Sequence, residues 1–249
     1  MARAGGSVAA GWLLTLALGG VAVAADNDPI TSVVSSIHVD PKQHAGTISA
    51  VNGSVTIGEE AVVGEITSVN GSIHEGEHAT AGHVQAVNGS ITLGQHATAM
   101  SVGTVNGSIH IDTGAQIAGM MTTVNGALFV DHDADVKGQL STVNGPIRVL
   151  GGHVGGGINT VNGDIEVGPN SRVEGGIHVR ENQNNWFNDW FGFMWHSKPQ
   201  RIVIGPGAVV TGTLLFEREV RLYVSDRATI GPVQGAKAVR FTGDHPPED

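Results

Sequence analysis

Between residues 48 and 167, apolar and polar positions alternate in short bursts, and the bursts recur at a nearly fixed interval. Each burst is anchored on the tripeptide Val-Asn-Gly. Its Asn falls at 52, 70, 88, 106, 125, 144 and 162, giving steps of 18, 18, 18, 19, 19 and 18 residues. Three residues after the Asn the side chain is always apolar: Val55, Ile73, Ile91, Ile109, Leu128, Ile147, Ile165. Five residues after, it is apolar in six copies, and Glu75 is the exception. Four residues before, it is again apolar throughout, from Ile48 to Ile158. Alternation at +3 and +5 is the period of a strand, and no 11-residue window carries a helical stripe. A unit of this length, with three short strands and three corners, is one coil of a repeat array. The pattern therefore predicts an all-β protein, a single-stranded, three-sided β-solenoid.

The period runs past the tripeptides. Thr31 to Val39 aligns with Thr67 to Glu75, so a first coil begins near Ile30. Ile202, Ile204, Ala208 and Val210 repeat the spacing of Ile109, Ile111, Ala115 and Ile117, and Leu222, Val224, Ala228 and Ile230 repeat it again. About ten coils result, and at about 4.8 Å per layer the rod is roughly 45–50 Å long. Val239 and Phe241 suggest a last partial strand, and residues 243–249 read as a polar tail. The solenoid domain thus spans residues 25–242. Composition agrees: 37 Gly supply tight corners, and an aromatic fraction of 4% suits a narrow core of Val, Ile, Leu and Ala. With no Cys, disulfides, thiolate metal sites and lipidated cysteines are excluded.

Residues 1–24 read as a signal peptide: Arg3, an apolar stretch from Val8 to Val23, and Ala22-Val23-Ala24 in the small-x-small form of a cleavage site. The mature chain would begin at Ala25 or Asp26. The expected location is the periplasm or cell envelope. Net charge is −10, and −11 once Arg3 is lost, which argues against nucleic acid as a partner.

Candidate chemistry follows from the columns. Asn52, Asn70, Asn88, Asn106, Asn125, Asn144 and Asn162 occupy one corner in successive coils. They are expected to form a structural ladder, since Asn tolerates left-handed backbone and its amide can bond up and down the stack. Ser54, Ser72, Ser90 and Ser108, with Thr104, Thr123, Thr142 and Thr160, make two hydroxyl ladders, read as polar filler rather than a glycan- or ice-binding face. Among 12 His, His78 and His96 stack one coil apart, close enough to share a transition metal in principle. Solvent-facing imidazoles are the expected reading. No catalytic, cofactor or metal site is predicted.

An 18-residue coil equals three hexapeptides, the unit of the left-handed helices of acyltransferases and trimeric zinc carbonic anhydrases. Val51, Ile57, Val63 and Val69 keep the six-residue step, but the third hexapeptide carries its apolar residue one place early, at Ile66, Val84 and Val102. Stretches such as Ile109 to Gly119 and Ile202 to Gly212 instead resemble coils of the bactofilins, polymer-forming bacterial cytoskeletal proteins. The resemblance covers roughly residues 30–235. It implies a right-handed, three-sided β-helix that joins end to end into filaments. An export segment and an Asn-Gly at every turn are not part of that family's pattern.

One non-repetitive segment interrupts the array. At 181–200 the expected corner is replaced by an insert holding Trp186, Phe187, Trp190, Phe191, Phe193, Met194 and Trp195. Their i, i+4 recurrence would place them on one face of a short helix. Three roles compete: a lid over a solenoid face, a knob for self-association or an envelope partner, and a peripheral contact with a membrane interface. The reading as a whole is an exported structural or interaction scaffold, not an enzyme. The alternatives are a hexapeptide-type enzyme and a carbohydrate-binding module.

Overall fold

The computed structural model describes residues 22–23, 28–181 and 199–247. All regular structure among them is β-strand, and every strand pairing is parallel. The chain winds as a three-sided solenoid of about eleven turns, slightly more than the ten the sequence suggests. Twelve strands stack on the first face, beginning with Ala22–Val23 on Ile37–Val39 and ending with Ala238–Phe241 on Val220–Ser225. The last strand is the one expected around Val239 and Phe241. The second face carries two-residue strands such as Gln116–Ile117, and the third carries five-residue strands such as Met121–Asn125. In two coils the second and third faces run together without a break, as Thr80–Asn88 and Thr98–Asn106.

Burial explains why these short strands hold together. In one coil Val55, Ile57, Ala61, Val63, Ile66 and Ser68 point inward, and Ile73 opens the next. The inward steps are 2, 4, 2, 3, 2 and 5 residues, so the three corners differ in length. A hexapeptide helix needs equal corners. Val51 and Val69, which would sit inside on a six-residue step, instead lie on the surface, and Val51 is exposed. Columns of like side chains therefore stack through the rod: Ile73, Ile91, Ile109, Leu128, Ile147, Ile165 and Ile202 form one, all buried. Isolated strands of two or three residues are unstable; here each is held by a neighbour above, a neighbour below and a continuous apolar axis.

The corners divide the labour in a way the sequence does not reveal. Left-handed backbone at residues other than Gly occurs between the first and second faces, at Lys42, Glu60, His78, His96, Asp133 and Asn170, with φ of 56–62°, and Gly114, Gly151 and Gly207 share that corner; at the other corners of the described residues positive φ falls on Gly alone, as at Gly157, Gly176 and Gly235. None of the ladder Asn residues is left-handed. Gly follows each of them because the coils pack too closely for a side chain: a Cβ on Gly71, Gly89, Gly107 or Gly126 would overlap the carbonyl oxygen of the Gly one coil below.

Candidate functional site

The Asn corner forms an unbroken hydrogen-bonded ladder. Asn70 Nδ2 donates to Asn52 Oδ1 at 3.0 Å, and the same bond recurs from Asn88, Asn106, Asn125, Asn144 and Asn162 to the Asn below, at 2.9–3.0 Å. The backbone repeats the link in the other direction, since each Gly N–H from Gly53 to Gly145 donates to the carbonyl of the next Asn. The ladder stops where the insert begins, and Arg218 closes it. Arg218 Nη1 donates to Asn162 Oδ1 at 2.6 Å and to the Val161 carbonyl at 3.1 Å, and Gln200 Nε2 also reaches that carbonyl, at 2.8 Å. This cap is not visible in the sequence, because Arg218 lies 56 residues from its partner.

Of the two hydroxyl ladders, one is internal. Thr104, Thr123, Thr142 and Thr160 are 2–6% exposed and face the core. The first three donate from Oγ1 to the carbonyls of Gly89, Gly107 and Gly126 at 2.9–3.3 Å, tying each third face to the corner below. Only the Ser row lies outside, with Ser54, Ser72 and Ser90 exposed and Ser108 half-buried. A flat two-row hydroxyl surface is therefore not formed. The alternation that turns Thr inward turns the tripeptide Val outward: Val51, Val87, Val105, Val124 and Val143 are 37–41% exposed, an apolar ridge along the Asn ladder.

The histidines separate into distinct settings. His78 and His96 stack with ring centroids 5.1 Å apart and planes 13° from parallel. Imidazole lone pairs lie in the ring plane, so two parallel rings do not converge on one ion. His110 is different. Its Nε2 lies 2.8 Å from Asp112 Oδ1 and 3.5 Å from Asp131 Oδ2, and the three donor atoms are all within 4.8 Å of one another. These side chains are 32–38% exposed. The grouping arises because Asp112 and Asp131 directly follow the first-face strand in successive coils, where the three coils below have Gly58, Gly76 and Gly94 and the coil above has Leu150. Column alignment alone would have found it.

Glu75, the one departure from its apolar column, sits inside the core between Ile57 and Leu93. It is fully buried, neither carboxylate oxygen has a hydrogen-bond partner among the described residues, and burial pushes its pKa up to about 8. Nothing in the structure explains a carboxyl here.

Where the insert leaves and re-enters the coil, the junctions are well held. The register places Glu181 one layer above Asn162 and Gln200 above Gly163, so the excess over a regular coil is residues 182–199, within the 181–200 expected. Glu217 fastens the departure point: its Oε2 accepts from the Glu181 N–H at 3.1 Å and its Oε1 lies 2.8 Å from His178 Nε2. The Glu181 N–H, then His178, hold the Glu217 carboxyl below the usual range. Trp186, Phe187, Trp190, Phe191, Phe193, Met194 and Trp195 lie outside the described residues, as do most of residues 1–24 and the expected helix of the insert. The tail turns back on the rod, where His245 and Pro246 line a groove with Arg148, Glu166 and Arg201.

The fold thus defines the chain as a parallel, three-sided β-solenoid. Comparison with protein-family models, with characterised proteins and with solved structures finds no significant match.

Proposed function

We propose that this chain is an exported structural scaffold of the bacterial cell envelope that assembles end to end, as the bactofilin resemblance implies. One observation carries the reading. Among the described residues, the strand stacks are open at both ends: Ala238–Phe241 has a neighbour on one side only, and Val239 on it is 50% exposed. An unpaired strand edge with an exposed apolar residue is a template for another chain. Cleavage after Ala24 would take away Ala22–Val23 and leave Ile37–Val39 as the first strand of that face, a bare edge at the other end. The unequal corners weigh against a hexapeptide-type enzyme, and the inward turn of Thr104, Thr123, Thr142 and Thr160 weighs against a hydroxyl-faced binding module. The aromatic insert supplies a contact with an envelope protein, a second copy or the membrane interface.

The test has two readouts. Intact mass of the protein from the envelope fraction of its producing cell should give a chain starting at Ala25 or Asp26; retention of residues 1–24 would overturn cleaved export. Negative-stain microscopy of purified residues 25–249 should show rods several times longer than one solenoid, and Val239→Lys should return them to single rods. Single rods for the unmodified chain at high protein concentration would refute end-to-end assembly.

A further inference from the structure

We infer that His110, Asp112 and Asp131 form a binding site for a divalent transition-metal ion that bridges two adjacent coils. The inference is independent of the assembly reading. Bonds of about 2.0–2.2 Å from such an ion to nitrogen and oxygen donors place neighbouring donors about 3.0–3.5 Å apart. The two separations from His110 Nε2, 2.8 and 3.5 Å, bracket that spacing. The site needs only small side-chain movements to close, because all three donors already fall within 4.8 Å of each other.

The repeat supplies an internal comparison. His38 and Asp40 sit at the same column positions, with Nε2 3.4 Å from Oδ1, but the coil above offers Gly58 instead of a second carboxylate. An ordinary His–Asp pair on this face therefore exists without a second acid. At His110 two carboxylates are held on neighbouring layers, where like charges repel. His110 is the one basic side chain paired with either among the described residues. A divalent ion would neutralise both. The ring of Phe129, from the coil above, lies 5.8 Å from the His110 ring and walls one side, while the partial exposure of all three ligands leaves the outer side open to water. One imidazole and two carboxylates suit Zn²⁺ or Mn²⁺, whereas Ca²⁺ takes six to eight oxygen ligands. Since Asp131 comes from one coil and His110 and Asp112 from the one below, the ion would staple the layers Ile109–Ile111 and Leu128–Val130 together.

Calorimetric titration of the tag-free chain with Zn²⁺ and with Mn²⁺, paired with thermal melts, tests this. The unmodified chain should bind at one saturable site and melt higher with the ion than without, with little response to Ca²⁺. His110→Gln and Asp131→Asn should each weaken that site by at least about tenfold and abolish the rise in melting temperature, and His38→Gln should leave both unchanged. Circular dichroism without metal controls for misfolding, and Asp112→Asn stands in for either variant that fails it. No saturable binding, or binding equal in the unmodified chain and the variants, as adsorption to the other histidines would give, overturns the site.

Discussion

At the scale of the residue, the Val-Asn-Gly tripeptide works through three different forces. Val contributes surface, Asn a hydrogen-bonded chain, and Gly the absence of a side chain. Asn106 both donates to Asn88 and accepts from Asn125, so Asn106→Leu removes two bonds. Each is worth about 0.5–1.5 kcal/mol. The corner is exposed and its backbone is not left-handed, so water can replace the lost partners and no strain is added. The expected loss is about 1–2 kcal/mol, read as a lower urea midpoint. Gly107→Ala should cost more than Asn106→Leu, because its Cβ would meet the Gly89 backbone of the layer below, which cannot move alone. If Asn106→Leu proved the more damaging of the two, the ladder and not the close stacking would be setting the corner.

At the scale of the element, the strand Ile73–Glu75 carries a conflict that its neighbours lack. Its inward residues are Ile73 and Glu75, and the layers on either side present Val55 and Ile57, and Ile91 and Leu93. The folded chain keeps the Glu75 proton up to a pH of about 8, whereas the ordinary carboxyl loses it near 4.5. Folded protein therefore binds more protons than unfolded between these values. The contribution of Glu75 to stability is most favourable below pH 4.5, falls by up to about 1.4 kcal/mol per pH unit as pH rises, and is flat above 8. Glu75→Leu should remove that dependence. Urea melts should show the variant gaining on the unmodified chain from pH 5 to pH 8, with the gap constant beyond. A gap independent of pH would mean the carboxyl reaches water or a partner in the folded state.

At the scale of the whole molecule, the solenoid is tolerant of interruption because each coil touches only its neighbours. The insert tests this. Ile165 stacks directly on Ile202 across it, and Ile177 on Leu214, so the apolar axis passes the junction without a gap. Deleting residues 182–199 joins Glu181 to Gln200 and leaves a 19-residue coil, a length the array already uses. The β-sheet circular dichroism should survive and the melting temperature should move by only a few degrees. Light scattering and liposome co-sedimentation then report what the seven large apolar residues do. Loss of the fold on deletion would make the insert part of the core and end the reading of it as an interaction element.

What the sequence determined by itself is the period. Apolar residues at +3, +5 and −4 from each Asn specify strands, faces and the identity of the columns, because side chains alternate along a strand and like must stack on like. It also marked Glu75 as foreign to its column, though not that it would be buried without a partner. Tertiary structure alone decided the rest. Whether a Thr or a Val of the same strand points inward depends on unequal corner lengths, which shift the phase at the short corner between Val63 and Ile66 and its equivalents. Six left-handed positions between the first and second faces went to Lys, Glu, His, Asp and Asn residues that look like ordinary surface polar residues, since the stacked corners around them fix the backbone. The Arg218 cap exists only because winding past the insert brings it onto Asn162, 56 residues away; the His110–Asp112–Asp131 group follows the columns, but its donor separations are set by the coil spacing. A chain position states its neighbours along the strand; only the coil states who lies above and below.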